Sequence, residues 1–595
     1  MAVNKFDQDE KLNSKIDTKA FSKVGKYIKP QKKLFFEAAL MMIIHSVFTL
    51  IAPFCLSLVI DICLPQKNTA LLFAITGGLV LLYVCAMLAY KRRSYVSNLL
   101  AFRVISKIRS DLFSHMQKLP FSFFDTRPHG KILVRVVNYL NTIVGFFANG
   151  IIDTIINAVK MIIILVIMFV MDWKLTLVAL AVLPVFLIGL IVIRKRHLGA
   201  WDKYSAKQSN LNAYIQENIS GMKITQSFAR ELRNSEIFND ICKENKKYWM
   251  RTQYIESSIA PIINILITVS NLLIYIVGFI GIKKGVLSIG AVIAFASYLS
   301  AFWAPVSALS TVYNQLISCG TYLARVFNMM EEPVVISDID GAVELPDIKG
   351  RVEFENVTFA YEKDEPNILE NISFTVEEGE TIAFVGPTGA GKSTIINLLS
   401  RFYDIQGGRI LIDGYDIKNV TLKSLRSRMG IMLQDSFLFS GTIMDNIRYA
   451  KIDATDEEVI NAAKAVCADE FISQMPDGYN TYINEGGSSL SAGQKQLIAF
   501  ARALLADPAI LVLDEATSSI DVETELKLQQ GLERLLEGRT SFIIAHRLST
   551  IKNSSKIMYV SNKSIAECGT HEELIEKQGE YYKLYMAQYK FLEQI

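Results

Sequence analysis

The chain has 595 residues, of which 51% are hydrophobic and 20% charged. This length implies more than one domain, and the 10% aromatic content excludes disordered and fibrous classes. A formal charge of +3 argues against a nucleic-acid-binding protein, which would carry a basic face. The seven cysteines lack C-x-x-C spacing and are typical of reduced residues. The composition therefore predicts two unlike parts, one for lipid and one for water.

The N-terminus is polar and mixed in charge through about Lys19, which predicts no cleavable signal peptide. Phe21–Lys33 has the pattern of an amphipathic helix on the inner membrane face. Six apolar runs follow, and each approaches or exceeds the roughly 20 residues that a membrane-spanning helix needs. Basic clusters before the first run and after the second and fourth runs place those ends, and both termini, in the cytoplasm. The predicted spans 1 to 6 are Phe35–Ile60, Ala70–Tyr90, Phe146–Met171, Leu175–Ile193, Ile259–Ile282 and Ile289–Cys319.

Two long, charged connections, Ser94–Gly145 and Lys195–Ser258, keep a helical period. We expect them to continue the spans into the cytosol as extended helices. After span 6 the acidic segment 329–349 has no sustained period and predicts a linker, whereas short strands alternate with helical patterns from Gly350 onward. The predicted domains are a tail with an interfacial helix (1–33), a transmembrane domain (34–328), a linker (329–349) and an α/β domain (350–595).

The strongest motif lies between an apolar strand, Thr381–Val385, and an apolar helix. Glycines in such a loop let backbone N–H groups surround phosphates, and the helix N-terminus adds a favourable dipole. Lys392 is expected to reach the β- and γ-phosphates of a nucleotide, and Ser393 to bind Mg²⁺. A chance glycine-rich turn would lack this flanking strand and helix. The motif is Gly386-Pro387-Thr388-Gly389-Ala390-Gly391-Lys392-Ser393-Thr394.

A second apolar run, Ile510–Leu513, ends in Asp514 and Glu515. It predicts a buried strand that delivers two carboxylates to the edge where open α/β sheets bind ligands. Asp514 is expected to hold Mg²⁺, and Glu515 to act as the general base on the attacking water. An apolar run that ends in two acids is weak evidence for these roles by itself. The phosphate loop upstream makes it strong evidence.

A third motif, Leu490-Ser491-Ala492-Gly493-Gln494, leads into a helical segment. In the simpler interpretation, Ser491 is the N-cap of that helix. In the other, the Ser491 hydroxyl, the Gly493 amide and the helix dipole form a second anion site. The sequence leaves both open at this point.

Together these motifs resemble those of ABC-transporter ATPases, whose signature is normally Leu-Ser-Gly-Gly-Gln. Any one of the matching residues alone would more often be structural than functional, but here they fall in the family's order. The resemblance implies ATP and Mg²⁺ as ligands. It also implies catalytic roles for Gln434 and His546 beside Glu515, with Gln434 a further Mg²⁺ ligand. The matching positions are the adenine-stacking Tyr361, the Q-loop residue Gln434, the X-loop residue Glu485, the D-loop residue Asp521 and the switch residue His546.

The resemblance extends upstream and covers about Lys26 to Lys583. Phe123-Phe124-Asp125 and Glu217–Lys223 are similar to the first and second intracellular loops of six-helix exporters. The implied protein is a half-transporter of the type IV exporter class. Its implied fold is multidomain: a six-helix all-α transmembrane domain with long intracellular helices, followed by an α/β P-loop NTPase domain.

This family membership implies a multi-pass protein of the cytoplasmic membrane that pairs with a second half-transporter, as a homodimer or a heterodimer. Ser491, Gly493 and Gln494 would contact ATP held by the partner's phosphate loop. The implied function is ATP-driven export of an amphiphilic drug, lipid or peptide by alternating access. The alternatives are an ATPase that gates a channel or regulates a partner without pumping and, less favoured still, import.

Ala492 departs from the family signature, in which glycine stands at that position. Glycine is permissive in φ, so alanine there either is a tolerated variant or constrains the backbone beside the γ-phosphate. A heterodimer with one weakened ATP site is the second interpretation.

Polar residues inside the spans are the candidates for the cargo site. Span 3 carries Asp153, Asn157 and Lys160, which predict either a functional cavity or an Asp–Lys pair within the helix. The stripes on spans 5 and 6 are typical of hydrogen bonds between helices as well as of cargo contacts. They consist of Asn264, Thr268, Asn271, Tyr275, Ser307, Ser310 and Asn314.

Overall fold

The computed structural model describes residues 18–147, 152–362, 365–432, 436–514, 522–544 and 551–588. By their packing the described residues form two compact units. The helical unit contains those up to 117 and 129–332, and the α/β unit contains 118–128 and those from 333 onward. The domain boundaries drawn from the sequence remain predictions.

The helical unit consists of long helices joined by short breaks. Two π-helical segments, Val59–Cys63 and Arg135–Tyr139, interrupt its regular hydrogen bonding. In chain order, the helices described up to residue 332 are α1 (Thr18–Ile28), α2 (Lys32–Leu58), α3 (Thr69–Met116), α4 (Phe121–Asp125), α5 (His129–Val134), α6 (Leu140–Gly145), α7 (Ile152–Met171), α8 (Trp173–Leu180), α9 (Leu183–Ser220), α10 (Met222–Ser227), α11 (Glu231–Ser257), α12 (Ile259–Lys283) and α13 (Ile289–Met330).

Several of these helices are long and apolar enough to cross a membrane. Within the part of the chain that the structure describes, four such stretches cover predicted spans 1, 2, 4 and 5: Lys19–Cys63, Thr69–Met116, Trp173–Ser220 and Glu231–Lys283. Shorter apolar helices, Asn157–Met171 and Ile289–Trp303, lie in predicted spans 3 and 6. Helices α3 and α9 continue far past their apolar parts, as the charged, periodic connections predicted.

The ends of the membrane helices are fixed by short polar side chains. Asn68 caps α3 and Asp172 caps α8, each by accepting a backbone N–H. At the start of α13, Ser288 is the N-cap, and its hydroxyl donates to Asp61 at 2.6 Å. Asp61 also accepts the backbone N–H of Gly290 at 2.9 Å. A carboxylate at a helix N-terminus is favourable, so Asp61 ties the end of α2 to the start of α13.

The α/β unit is built on two main sheets. A six-stranded sheet has the order β12-β11-β3-β10-β9-β6, with only β12 antiparallel, and a four-stranded antiparallel sheet has the order β2-β1-β4-β5. The short strands β7 and β8 pair with each other. The strands are β1 (Val352–Phe359), β2 (Leu369–Val376), β3 (Thr381–Val385), β4 (Gly407–Ile412), β5 (Tyr415–Asp416), β6 (Met429–Met432), β7 (Gly441–Thr442), β8 (Tyr482–Ile483), β9 (Ile510–Asp514), β10 (Thr540–Ile544), β11 (Lys556–Ser561) and β12 (Ser564–Gly569).

Helices pack around the six-stranded sheet and bury it. The strand residues Ile510–Leu513 and Phe542–Ile544 are buried, as expected for parallel strands covered by helices. The described helices of this unit after α4 are α14 (Lys392–Leu399), α15 (Leu422–Ser427), α16 (Ile443–Arg448), α17 (Asp456–Ala465), α18 (Asp469–Ser473), α19 (Ala492–Leu505), α20 (Val522–Leu536), α21 (His571–Lys577) and α22 (Glu580–Gln588). The predicted fold class is confirmed.

The acidic segment after α13 is held to the α/β unit by polar contacts. The buried Arg401 guanidinium donates to the Ser337 carbonyl at 3.1 Å, and Asp338 accepts the Leu422 N–H at 2.7 Å. Val343 forms an isolated bridge with Val420. Residues 333–349 therefore lie along the surface of this unit without a helix or strand of their own.

Candidate functional site

The predicted site begins at one edge of the six-stranded sheet. Strands β3, β10 and β9 are parallel neighbours, so their carboxyl ends meet there. The loop Gly386–Gly391 leaves β3 at this edge and enters α14, as predicted. Asp514 is the last residue of β9 and lies in register with Ile544 at the end of β10. The phosphate loop and the first predicted acid are therefore brought to the same place.

Lys392, the first residue of α14, is held across the loop. Its Nζ donates to the carbonyl oxygens of Gly386 at 2.8 Å and Pro387 at 2.9 Å. Burial lowers the pKa of the Lys392 ammonium, and the nearby Asp514 carboxylate acts in the opposite direction. The two carbonyls thus position a positive charge where the loop amides would surround phosphates.

Glycine is required at two positions of this loop. Gly386 and Gly391 have φ of +142° and +104°, backbone conformations that residues with a side chain rarely adopt. A Cβ on Gly386 would collide with the Val560 carbonyl, and one on Gly391 would lie 2.8 Å from Leu369 Cδ2. The loop can approach β11 and β2 so closely only because these side chains are absent.

Two oxygen donors at the sheet edge suit a magnesium ion. Ser393 is exposed in the first turn of α14, and Asp514 ends β9. Hydroxyl and carboxylate oxygens are the ligands Mg²⁺ prefers, and on nucleotides it uses few protein ligands together with phosphate oxygens and water. In the described ranges no cluster of three or more acidic, His or Cys side chains could hold a metal by itself. The donor set therefore fits a magnesium ion that arrives with the nucleotide.

Four predicted residues, Gln434, Glu515, Asp521 and His546, lie outside the described residues. Three of them come shortly after described strands: Gln434 after β6, Glu515 after β9 and His546 after β10. These strands are parallel within one sheet, so their carboxyl ends lie at the edge that carries the phosphate loop. Their roles remain predictions.

Tyr361, predicted to stack on adenine, follows β1 and is 41% exposed. It is therefore neither buried nor part of the strand. Its hydroxyl lies 3.0 Å from Thr394 Oγ1 in α14, so the ring stands beside the phosphate loop. The rings of Phe359 and Tyr403 pack edge-on against it, each with its centroid 5.0 Å away.

Tyr403 is a residue of this site that the sequence did not reveal. Its hydroxyl donates to Asp125 of α4 at 2.6 Å, and Phe402 stacks on Phe121 with centroids 4.1 Å apart. Burial and the Asp125 carboxylate raise the pKa of Tyr403. The run of aromatic residues after α14 was the available signal. These contacts link α4, part of the predicted first intracellular loop, to Tyr361.

In this structure the signature motif forms a helix cap. Ser491 is the N-cap of α19: its Oγ accepts the Gln494 N–H at 3.2 Å, and Gln494 Oε1 accepts the Ser491 N–H at 3.0 Å. Ser491 and Ala492 are exposed, which leaves them accessible to a ligand from outside the chain. Ala492 is the first helical residue and has no positive φ. The backbone here does not require glycine, which favours the tolerated-variant interpretation.

The polar stripe of α12 lies between two apolar faces. Ile263, Ser270 and Ile274 are buried against the unit, whereas Ile265 and Leu272 are open on another side. Asn264, Thr268 and Tyr275 are exposed on the flank between them, and Asn271 is partly buried. Thr268 donates to the Asn264 carbonyl of its own helix at 2.8 Å. Of the stripe on span 6, the side chains of Ser307, Ser310 and Asn314 lie outside the described residues.

Two family models match this chain. The model described as "ABC transporter transmembrane region" matches residues 35–306, and the model described as "ABC transporter" matches residues 369–518. A helical membrane unit and an α/β unit with a phosphate loop define a membrane transporter driven by a nucleotide. The chain belongs to the ABC transporter family, as an exporter-type half-transporter that carries its membrane and ATPase parts in one polypeptide.

Known proteins resemble the chain over nearly its whole length. An uncharacterized ABC transporter ATP-binding protein of Bacillus subtilis, YknV, is 39% identical over 98% of this chain and 97% of its own. A fatty acid ABC transporter ATP-binding/permease protein of Mycobacterium bovis is 36% identical over 89% of this chain and 82% of its own. A bacterial Atm1-family ABC exporter, solved with ATP bound, matches with a TM-score of 0.78 and 28% identity over 94% of this chain and 98% of its own.

These similarities establish the general function. The protein is an ATP-binding and ATP-hydrolysing exporter of the multi-pass membrane type. The half-transporter fold implies that two such halves assemble into the working unit.

Proposed function

We propose that this chain, as one half of a dimer, exports an amphiphilic molecule across the cytoplasmic membrane by alternating access, with both termini and the α/β unit in the cytoplasm. The observation that carries the proposal is the phosphate loop with Lys392 held by its own carbonyls, on the same chain as apolar helices of membrane-spanning length. A loop arranged in this way binds nucleotide phosphates, and apolar helices of that length belong in a bilayer.

The ATP site is proposed to be shared between two halves. Residues Gly386–Thr394 hold the phosphates, Lys392 supplies positive charge and Tyr361 stacks on adenine. Mg²⁺, bound by Ser393, Asp514 and Gln434, would neutralise negative charge on the phosphates. Glu515 takes a proton from the attacking water, and Gln434 and His546 orient the reacting groups. The partner half supplies Ser491, Gly493, Gln494 and Asp521.

Exposed apolar side chains support an assembly of two halves. The turns around α10 leave Phe228 and Leu232 72% and 83% exposed, together with Ile219 and Ile224. Large apolar side chains that stay exposed so close together in the chain are typical of an interface. We expect the purified chain to have the mass of a dimer, measured by size exclusion with light scattering. A monomer with the full ATPase rate would contradict the dimer, and activity only after mixing with a related half would show a heterodimer.

The amphiphilic cargo is supported by the flank of α12. Asn264, Thr268 and Tyr275 offer hydrogen bonds beside an apolar face, and exposing them to lipid tails would be unfavourable. They therefore suit a cavity that holds a molecule with both apolar and polar parts. The fatty acid transporter among the relatives is named for a cargo of this kind.

The test is ATP-dependent accumulation in sealed vesicles that contain the full chain. With ATP and Mg²⁺ outside, the wild type is expected to concentrate a fluorescent amphiphile at least tenfold above the Glu515→Gln variant. This variant serves as the matched control, because it should bind ATP without turning it over. Ion conductance without accumulation would contradict export and favour a gated channel.

A further inference from the structure

One charged residue in the membrane part has no explained role. Lys160 is the single Lys or Arg within the six predicted spans. It lies in α7, about 12 Å along the helix from Ile152, its first residue, and about 17 Å from Met171, its last. An ionisable residue this far from both ends of a span points to a function.

The side of α7 that carries Lys160 faces the interior of the helical unit. Residues four apart share one helix face, which places Lys160 in line with Ile164 and Met168. Both are 0% exposed and belong to the core formed with Phe295 and Trp303 of α13. By contrast, Ile162, Val166 and Val170 form the open side of α7. Lys160 itself is partly buried, so it borders the interior of the unit and not its outer apolar surface.

Within the described ranges, the Lys160 ammonium has no hydrogen-bond or ion-pair partner. The side chain of Asp153 lies outside the described residues, and this residue is about 10 Å lower along the helix axis. A charge in this position needs a compensating group.

We propose that the acidic headgroup of the cargo supplies this compensating group, so that the exporter selects amphiphiles bearing a carboxylate or phosphate. The inference rests on the proposed export function and names its substrate class. Spans 5 and 6 contain no charged residue and offer only neutral hydrogen-bonding groups, so they can hold the uncharged remainder of the same molecule. Lys160 then provides the charge selection.

The experiment compares fluorescent probes with one acyl chain and three heads: a carboxylate, a phosphate monoester and a neutral amide. Each is offered to sealed vesicles of zwitterionic lipid that contain the full chain. The wild type is expected to accumulate an anionic probe at least tenfold over the neutral one. Lys160→Met is expected to remove this preference, and Lys160→Arg to keep most of it. Whichever of the two anionic probes accumulates more shows whether the cargo headgroup is a carboxylate or a phosphate.

Lys174→Met is the matched control, because Lys174 is an exposed lysine in the first turn of α8. This variant should keep the wild-type preference. A Lys160→Met protein with an unchanged preference would overturn the inference, as would a wild type that accumulates neutral and anionic probes equally. The wild-type comparison decides even if Lys160→Met does not assemble. No ATP-dependent accumulation of any probe would instead count against the proposed function itself.

Discussion

The two units of this chain place their polar groups in opposite ways. In the α/β unit they gather where buried parallel strands end, so a short loop and one carboxylate meet at a single edge. In the helical unit they are spread along the faces of long helices, as on α12 and α7. A strand-end site depends strongly on single residues. A helix-face site depends on what lies opposite the face, and in a half-transporter this includes the second half.

The largest effect should come from the strand-end site. Replacing Lys392 by Met removes the charge that two loop carbonyls position, and we expect ATP hydrolysis to fall at least about 100-fold. Phosphate release measures this. Lys464→Met, at an exposed lysine near the end of α17, is the control and should be close to wild type. If the Lys392 variant kept a tenth of the wild-type ATPase activity, the site in the α/β unit would not depend strongly on single residues.

Two glycines of the same loop should differ in their tolerance. Gly386→Ala places a Cβ against the Val560 carbonyl, which belongs to the backbone and cannot shift without disturbing β11. We therefore expect the free energy of unfolding to fall by about 3 kcal/mol or more. Gly389 has a positive φ but open space around it, and Gly389→Ala should cost about 1 kcal/mol. Scanning calorimetry of the purified variants compares the two. Equal shifts would show that the close approach to β11 is not what constrains the loop.

The contact between α4 and the site should have a moderate effect. The hydrogen bond from Tyr403 to Asp125 is partly exposed, so a double-mutant cycle with Tyr403→Phe and Asp125→Asn should give a coupling of about 0.5–2 kcal/mol. Its readout is the apparent affinity for ATP, because Tyr403 packs against Tyr361. Additive effects of the two changes would mean that the segment 118–128 does not position Tyr361.

The smallest effect is expected at the signature. Ala492→Gly should change the ATPase rate less than about twofold, because the backbone is helical there and glycine adds only a helix-propensity cost of about 1 kcal/mol. The rate of the dimer measures it. A gain above about fivefold would instead support a weakened site and the heterodimer interpretation.

Local patterns were sufficient to predict much of this molecule. The strand, loop and helix around Lys392 follow one another in the chain, so neighbouring residues determine them. The spans could be predicted equally well, because a run of about 20 apolar residues has few alternatives to a membrane helix. The helical continuation of α3 and α9 followed from periodicity that persists through charged sequence.

Contacts between residues far apart in the chain could not be predicted in this way. Tyr403 carries no motif, and its partner Asp125 is 278 residues away in the chain. The attachment of residues 333–349 depends on Arg401 and Leu422, which a search for periodicity cannot connect to Ser337 or Asp338. The backbone angle at Ala492, which favours the tolerated-variant interpretation, is not contained in one sequence. Helix faces told us where polar groups lie but not what stands opposite them.

The inclusion of residues 118–128 in the α/β unit has a consequence for the order of synthesis. At about 5–20 residues per second, a ribosome needs roughly 14–56 s to add the 278 residues between Asp125 and Tyr403. During that time Phe121 has no Phe402 to stack on, although the helices on both sides of it can already enter the bilayer. Residues 118–128 therefore lack these contacts until the later part of the chain has been synthesised. A nascent chain stalled before residue 402 should be more sensitive to proteolysis near Phe121 than the finished protein.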